Sequence, residues 1–240
     1  MKVLAGDMHF QKLNNQVRLT ADTQIEIENC IGQRYIASGL SGKKVTVHGT
    51  PGNALGAYLD GADIIVYGNT QEATGDTMND GRIYIHGNTG DATGYAMRGG
   101  KIFIEGSAGY RTGIHMKEYQ EKAPVIVIGG CTGSFLGEYQ AGGTIVVLGL
   151  DSGGKIPVGN FCGTGMHGGK IILRTKELPK DLPGQVAAHK AGEEELCAIM
   201  DELMEFCTVF DKNLKDILDA DFYILRPNTK NPYKQLYTTN

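Results

Sequence analysis

The sequence predicts an all-β protein: a right-handed parallel β-helix, a single-stranded solenoid of about seven coils, closed by a C-terminal α-helical segment. Three observations carry this prediction. Glycine makes up 35 of the 240 residues, about twice the usual ~7%, and 31 of the 35 lie between Gly39 and Gly169. Those glycines keep a period. Gly49, Gly68, Gly87 and Gly106 are 19 residues apart, and after a five-residue insertion Gly130 and Gly149 are again 19 apart. The aliphatic residues keep the same period.

The elements follow in order. Residues 1–28 are expected to be an N-terminal cap, with a strand around Gln24-Ile25-Glu26-Ile27-Glu28. Residues 29–174 form the repeating domain. Two and four residues before each ladder glycine stand Val45/Val47, Ile64/Val66, Ile83/Ile85, Ile102/Ile104, Ile126/Ile128 and Ile145/Val147. Alternation with period two describes a strand with one face buried, and β-branched residues suit that pleated surface. Stacked in register, each pair packs on its copies about 4.8 Å above and below. Met78, Met97 and Met166 hold equivalent places three residues before a strand-opening glycine. A second glycine follows seven residues after the ladder position at Gly56, Gly75, Gly94, Gly113 and Gly137. A third follows three residues after it at Gly52, Gly90, Gly109 and Gly133. Left-handed hexad repeats, leucine-rich repeats and calcium-binding nonapeptides each need a pattern that is absent.

Residues 175–240 differ in composition. The turn formers of Leu178-Pro179-Lys180-Asp181-Leu182-Pro183-Gly184 break the chain. Gln185 to Lys212 is expected to be helical, with Leu196, Ile199, Met200, Leu203, Cys207 and Phe210 as an apolar stripe. Asn213–Ala220 reads as a short second helix, and Arg226–Pro232 as extended. On the outward side of the strands, Ile65, Tyr84, Phe103, Val127 and Val146 form an apolar strip that needs a cover. Both the C-terminal helix and a partner subunit fit that need.

Charge and cysteine usage bound the function. Net charge is −4, which gives phosphates no basic footprint and argues against a dedicated nucleic-acid or membrane-surface binder. No apolar run approaches membrane-spanning length. Met1-Lys2-Val3-Leu4-Ala5-Gly6-Asp7 turns polar too early for a signal peptide. Five cysteines with no CxxC pair are expected to be reduced thiols in a cytoplasmic protein.

Five stretches carry a family resemblance. They are Gly32-Gln33-Arg34-Tyr35-Ile36-Ala37-Ser38-Gly39-Leu40-Ser41-Gly42, Gly87-Asn88-Thr89-Gly90-Asp91-Ala92-Thr93-Gly94, Gly106-Ser107-Ala108-Gly109-Tyr110-Arg111, Gly142-Gly143-Thr144-Ile145-Val146-Val147-Leu148-Gly149 and Gly165-Met166-His167-Gly168-Gly169-Lys170-Ile171. Over about residues 29–174 the chain resembles the C-terminal GXGXG domain of the glutamate synthase large subunit, in its stand-alone archaeal-type form. The GXGXG-type subunit of formylmethanofuran dehydrogenase shares the superfamily. The resemblance implies a right-handed β-helix with a structural role, beside a glutamine amidotransferase protein and an FMN/iron–sulfur glutamate synthase protein. FMN and the iron–sulfur cluster are expected on those partners, with no cofactor in this chain. The chain departs from the full large subunit in having Lys2 after Met1 rather than a nucleophilic cysteine, and in having no cysteine cluster.

No catalytic, cofactor-binding or metal-ligating residue is assigned from the sequence. His48 and His86 occupy equivalent outward positions two strands apart, with Tyr67 between them. At about 4.8 Å per strand they cannot share one ion. Cys131 and Cys162 read as inert turn thiols, and Arg111 and His115 flank Gly113 beside the first insertion. His167 fits a local turn hydrogen bond. Runs such as Gly106-x-x-Gly109 lack the lysine and following helix of a phosphate loop. The structural motif is therefore the glycine set itself: Gly49, Gly56, Gly68, Gly75, Gly87, Gly90, Gly94, Gly106, Gly109, Gly113, Gly130, Gly133, Gly137 and Gly149. Three functions follow as expectations. The first is a non-catalytic subunit of a glutamate synthase-like oxidoreductase, with the GXGXG-type subunit of formylmethanofuran dehydrogenase as its alternative. The second is a self-assembling scaffold, with homo-oligomers possible. The third is a glycan-cleaving enzyme, which needs clustered carboxylates where Asp63, Asp76, Asp80 and Asp91 are scattered.

Overall fold

The computed structural model describes residues 1–228. The aliphatic alternation forms strands where the period places them. In chain order these are β1 (Lys2–Leu4), β2 (Gln24–Ile31), β3 (Lys44–Thr50), β4 (Asp60–Tyr67), β5 (Asp80–Ile85) and β6 (Lys101–Ile104). They continue with β7 (Val125–Ile128), β8 (Ala141–Val147), β9 (Gly168–Arg174), β10 (Val186–Lys190) and β11 (Phe222–Pro227). Four helices accompany them: α1 (Phe10–Leu19), α2 (Glu193–Cys197), α3 (Met200–Phe210) and α4 (Leu214–Leu218).

All eleven strands belong to one sheet, ordered β1-β2-β3-β4-β5-β6-β7-β8-β9-β11-β10. Pairing is parallel from β1 through β9 and antiparallel for β9–β11 and β11–β10. This corrects the expected class. The described residues form a mixed α/β fold on a single, mostly parallel sheet, not an all-β right-handed β-helix or solenoid repeat. The physical reason lies outside the repeated strands. Outside its one strand the chain makes turns, with left-handed backbone at Ala73, Ala92, Arg111, Phe135 and Phe161 in successive repeats. Successive turns are joined by several backbone hydrogen bonds each, among them Ala73 to Asp91, Thr77 to Tyr95 and Gly94 to Thr74, with isolated bridges at Thr70–Thr89 and Ala108–Thr132. The helices α1–α4 and the antiparallel β11 and β10 then add elements that an all-β repeat lacks.

The register explains the core. Ile64, Ile83, Ile102, Ile126, Ile145 and Ile171 lie side by side on successive strands, and so do Val66, Ile85, Ile104, Ile128, Val147 and Leu173. All twelve are fully buried. Met78 and Met97 are buried in the same core, Met116 extends their file by one more period, and Met166 is buried as well. Leu13 and Val17 bring α1 onto the same apolar cluster.

A second cluster lies on the other face of the sheet. Phe103, Val127, Val146, Leu148 and Ile172 pack against Ile199, Leu203, Phe206 and Phe210 of the α3 region and against Ile217, Phe222 and Ile224. The apolar strip is thus covered by the chain's own C-terminal segment from Tyr84 onward, while Ile65 stays half-buried. Polar contacts frame this seam: Arg82 Nε to Glu205 at 2.9 Å, Tyr84 Oη to Glu205 at 2.7 Å, and Lys101 Nζ to Glu202 at 2.8 Å.

The long helix expected over Gln185–Lys212 is corrected to β10, α2 and α3 in succession. Residues 186–190 pair antiparallel with β11, which satisfies their backbone in a sheet instead. Gly192 then caps α2. Arg226 and Pro227 end β11, Asn228 follows as a bend whose amide donates to the Gln185 carbonyl, and residues 229–232 of the expected extended tail lie outside the described residues.

Candidate interaction surface

The glycine motif is explained by close approach between repeats. A Cβ on Gly94, whose φ is +70°, would stand 2.5 Å from Ile126 Cδ1. A Cβ on Gly106 would meet Asn88 Oδ1, which is already accepting from the Ser107 amide at 2.7 Å. Asn69 does the same for the Asn88 amide at 2.8 Å, and Ser107 for the Cys131 amide at 2.9 Å. Gly56, Gly75, Gly113 and Gly137 share the crowding of Gly94 against an isoleucine, and Gly87 and Gly130 share that of Gly106. Gly49, Gly68, Gly90 and Gly133 instead face backbone of the preceding repeat, Gly109 faces Asp91 Oδ1 first, and Gly149 faces Pro157. These runs hold turns against turns.

His48, Tyr67 and His86 form a continuous ring stack, with centroids 5.1 Å and 4.7 Å apart. Tyr67 fills the space between the imidazoles. His86 meets the edge of Phe210 at 5.0 Å and so helps seat α3. Reasoning from sequence missed the neighbours of His48. Its ring nitrogen and carboxylate oxygens of Glu26 and Glu28 lie within 4.8 Å of one another, an arrangement able to hold a metal ion. Lys2 already supplies a cation there, 2.8 Å from Glu28 and 3.4 Å from Glu26. The hydrogen bond from Lys2 holds the Glu28 carboxyl below its usual range. The signal was available, because Glu26 and Glu28 share the outward side of β2 next to His48 on β3.

The five cysteines are free thiols. Burial pushes Cys30 up to about 11 and Cys162 up to about 12, and raises Cys131 and Cys207. Such thiols carry little of the thiolate, the form that acts as nucleophile. The aspartates are engaged locally: Asp80 with Lys122 at 2.8 Å, Asp91 with the Tyr110 amide at 2.7 Å, and Asp76 with the Thr77 hydroxyl at 2.7 Å. His167 Nδ1 lies 3.3 Å from the Gly165 carbonyl, a local turn contact.

Arg111 and His115 are brought into one surface that the sequence only hinted at. Arg111 Nε donates to the buried Glu138 carboxylate at 2.8 Å. Its guanidinium lies over the rings of Tyr110 and Phe135, 5.5 Å and 5.4 Å from their centroids. Phe135 continues to Phe161 at 4.9 Å. His115 stacks on Tyr139 at 5.2 Å and meets Tyr95 edge-on at 5.9 Å. Tyr95, Tyr110, Tyr139 and Phe161 remain 38–47% exposed. None of these residues takes part in the cluster under α3.

This surface is built from strained positions. Arg111, His115, Phe135, Tyr139 and Phe161 all have φ between +53° and +61°, a region in which bulky side chains are outliers. Their amides are fixed by carbonyls of the next repeat: Arg111 to Ser134, His115 to Glu138, Phe135 to Asn160 and Tyr139 to Thr164. Ala54, Ala73 and Ala92 hold the place of Arg111 in three earlier repeats, and Tyr35 holds it in the one before them. A small residue suffices for the turn, so the turn itself does not require the rings of Phe135 and Phe161. Exposed tyrosine, phenylalanine and arginine are the residue types that dominate binding at interfaces.

The chain belongs to the GXGXG motif family, whose pattern it matches over residues 8–226, well beyond the 29–174 that carried the resemblance. An uncharacterised protein of Methanocaldococcus jannaschii, MJ1350, is 44% identical over 249 residues, covering 98% of this chain and 95% of that protein. In fold, the chain is similar to a chain of the formyltransferase/hydrolase complex of Methylorubrum extorquens, solved with methylofuran. The TM-score there is 0.62 with 20% identity, covering 85% of this chain and 72% of that one. No helix among the described residues is long and apolar enough to cross a membrane.

Proposed function

We propose that this chain is a non-catalytic structural subunit of a glutamate synthase-like oxidoreductase, docking its partners through the aromatic–arginine surface around Arg111 and Phe161. The observation that carries this reading is the surface itself: four exposed rings beside a guanidinium, with Arg111, Tyr139 and Phe161 held at left-handed backbone, apart from the face the chain covers for itself. Family membership supports it. FMN and the iron–sulfur cluster then belong to an FMN/iron–sulfur synthase protein, and glutamine hydrolysis to an amidotransferase protein. A second reading is a protein resembling the GXGXG-type subunit of formylmethanofuran dehydrogenase. The fold likeness to a chain of the formyltransferase/hydrolase complex favours it.

The test is purification of the tagged chain from its native cells, as wild type and as an Arg111→Glu/Phe161→Asp double variant. The reading expects a stoichiometric partner with flavin and iron–sulfur absorbance on the wild type and its loss from the variant at unchanged melting temperature. Molybdenum or tungsten in the bound fraction would move the assignment to the second reading. A partner-free wild-type chain would overturn both.

A further inference from the structure

The last repeat carries an insertion that the 19-residue pattern does not need. Phe161 follows Phe135 by 26 residues rather than 19. The extra residues lie in the loop Leu150-Asp151-Ser152-Gly153-Gly154-Lys155. Its glycines differ from those of the ladder. Gly153 and Gly154 have φ of +62° and +82°, yet a Cβ on either would meet nothing within 4 Å. Packing between repeats therefore does not explain them. Among the described residues their amides donate to no carbonyl, whereas the Ser152 and Lys155 amides close the loop on Gly149 and Ser152.

This loop forms one wall of a cleft of about 610 Å³, and Arg174 and Lys176 lie on another. Arg174 is half-buried, and its guanidinium donates to the carbonyls of Ile217 at 2.8 Å, Asp216 at 3.0 Å and Leu148 at 3.4 Å. Among the described residues no carboxylate pairs with Arg174, Lys155 or Lys176. The cleft also contains Asp219 and Asp221, and Asp221 is neutralised by Lys190 at 2.7 Å. The carbonyls satisfy hydrogen bonds of the Arg174 guanidinium but leave its charge without a carboxylate, so it adds a fixed positive field to the cleft. Free backbone amides beside a guanidinium and two ammonium groups match an oxyanion with several acceptor oxygens.

We propose that this cleft binds a phosphorylated small molecule, its phosphoryl group held by the Gly153 and Gly154 amides, Lys155, Lys176 and the Arg174 guanidinium. The phosphoryl group suits this donor set better than a carboxylate does, because its three oxygens present more acceptor sites than two. The volume is within the range of small-molecule sites, about 300–1,000 Å³, and leaves room for an organic body beyond the phosphate. The proposal is independent of the partner surface, which uses other residues.

The experiment is calorimetric titration of the purified full chain with inorganic phosphate and pyrophosphate, with acetate at matched ionic strength as control. The same titrations are run on a Lys155→Ala/Lys176→Ala variant, which leaves the carbonyl contacts of Arg174 in place. Saturable binding of phosphate or pyrophosphate, weakened at least tenfold in the variant at unchanged melting temperature, is the expected result. Absence of saturable binding, equal affinity in the variant, or acetate binding as tightly as phosphate would overturn the proposal.

Discussion

At the scale of single residues, two quantities decide what a side chain does here: the room around it and the charge it carries. Cys30 and Cys162 are held protonated by burial, near 11 and near 12, while Cys197 is exposed. Raised thiol pKa values mean less thiolate at neutral pH, and the thiolate is the nucleophile. Iodoacetamide at pH 8 is therefore expected to modify Cys197 first and to spare Cys30 and Cys162 until the chain unfolds. Mass mapping of the labelled sites checks this, and Cys162 labelling at the rate of Cys197 would contradict its burial. The glycines offer a paired comparison. Gly94→Ala forces a left-handed alanine against Ile126 Cδ1, so a loss of about 1–3 kcal/mol is expected in urea titration. Gly153→Ala meets open space and carries only the left-handed cost, about 1 kcal/mol. Equal losses would mean that close approach between repeats is not what the ladder glycines provide.

At the scale of elements, the strands were the legible part. Alternating aliphatics such as Ile83/Ile85 and Ile102/Ile104 named both the strands and the residues that stack across them, and β5 and β6 pair in that register. The expected class fails on what lies outside the repeat. The antiparallel strands β11 and β10 extend the parallel strands into one mixed sheet accompanied by the helices α1–α4, and none of these carries the 19-residue period. α1 escaped notice because only Leu13 and Val17 of its ten residues are buried. Val186-Ala187-Ala188 reads as helix by propensity, but β11, itself unforeseen, offers it a strand partner. Of the interaction surface, Arg111 and His115 were visible beside Gly113. Glu138, Phe135, Tyr139 and Phe161 were not, because the insertions shift them out of the 19-residue frame.

The seating of α3 gives the prediction at this scale. Phe206 is fully buried, and Phe206→Ala is expected to cost about 3–5 kcal/mol. Glu205 bridges Arg82, but the two side chains are 23% and 46% exposed, so Glu205→Gln is expected to change stability by no more than about 1 kcal/mol. Chemical denaturation of both variants checks the order. A larger loss from Glu205→Gln would mean that ion pairs, not apolar burial, hold the helix on the sheet.

At the scale of the whole molecule, the chain divides its outer surface into three kinds. One sheet face is buried from Tyr84 onward beneath its own C-terminal segment, as the cluster of Phe103, Val127 and Phe206 shows. Much of the remainder is charged and paired, as at Lys2 with Glu26 and Glu28. The third kind, around Tyr95, Tyr110, Arg111, Tyr139 and Phe161, is aromatic and exposed, and it is strained at Arg111, Tyr139 and Phe161. Strained backbone persists only where its surroundings over-determine it, and it concentrates at functional positions. The most direct test of the proposed role is hydroxyl-radical footprinting of the chain alone and within the assembly purified from its native cells. The account predicts strong protection of Tyr95, Tyr110, Tyr139 and Phe161 in the assembly, with Tyr67 unchanged. Equal modification of those four rings in both states would contradict it.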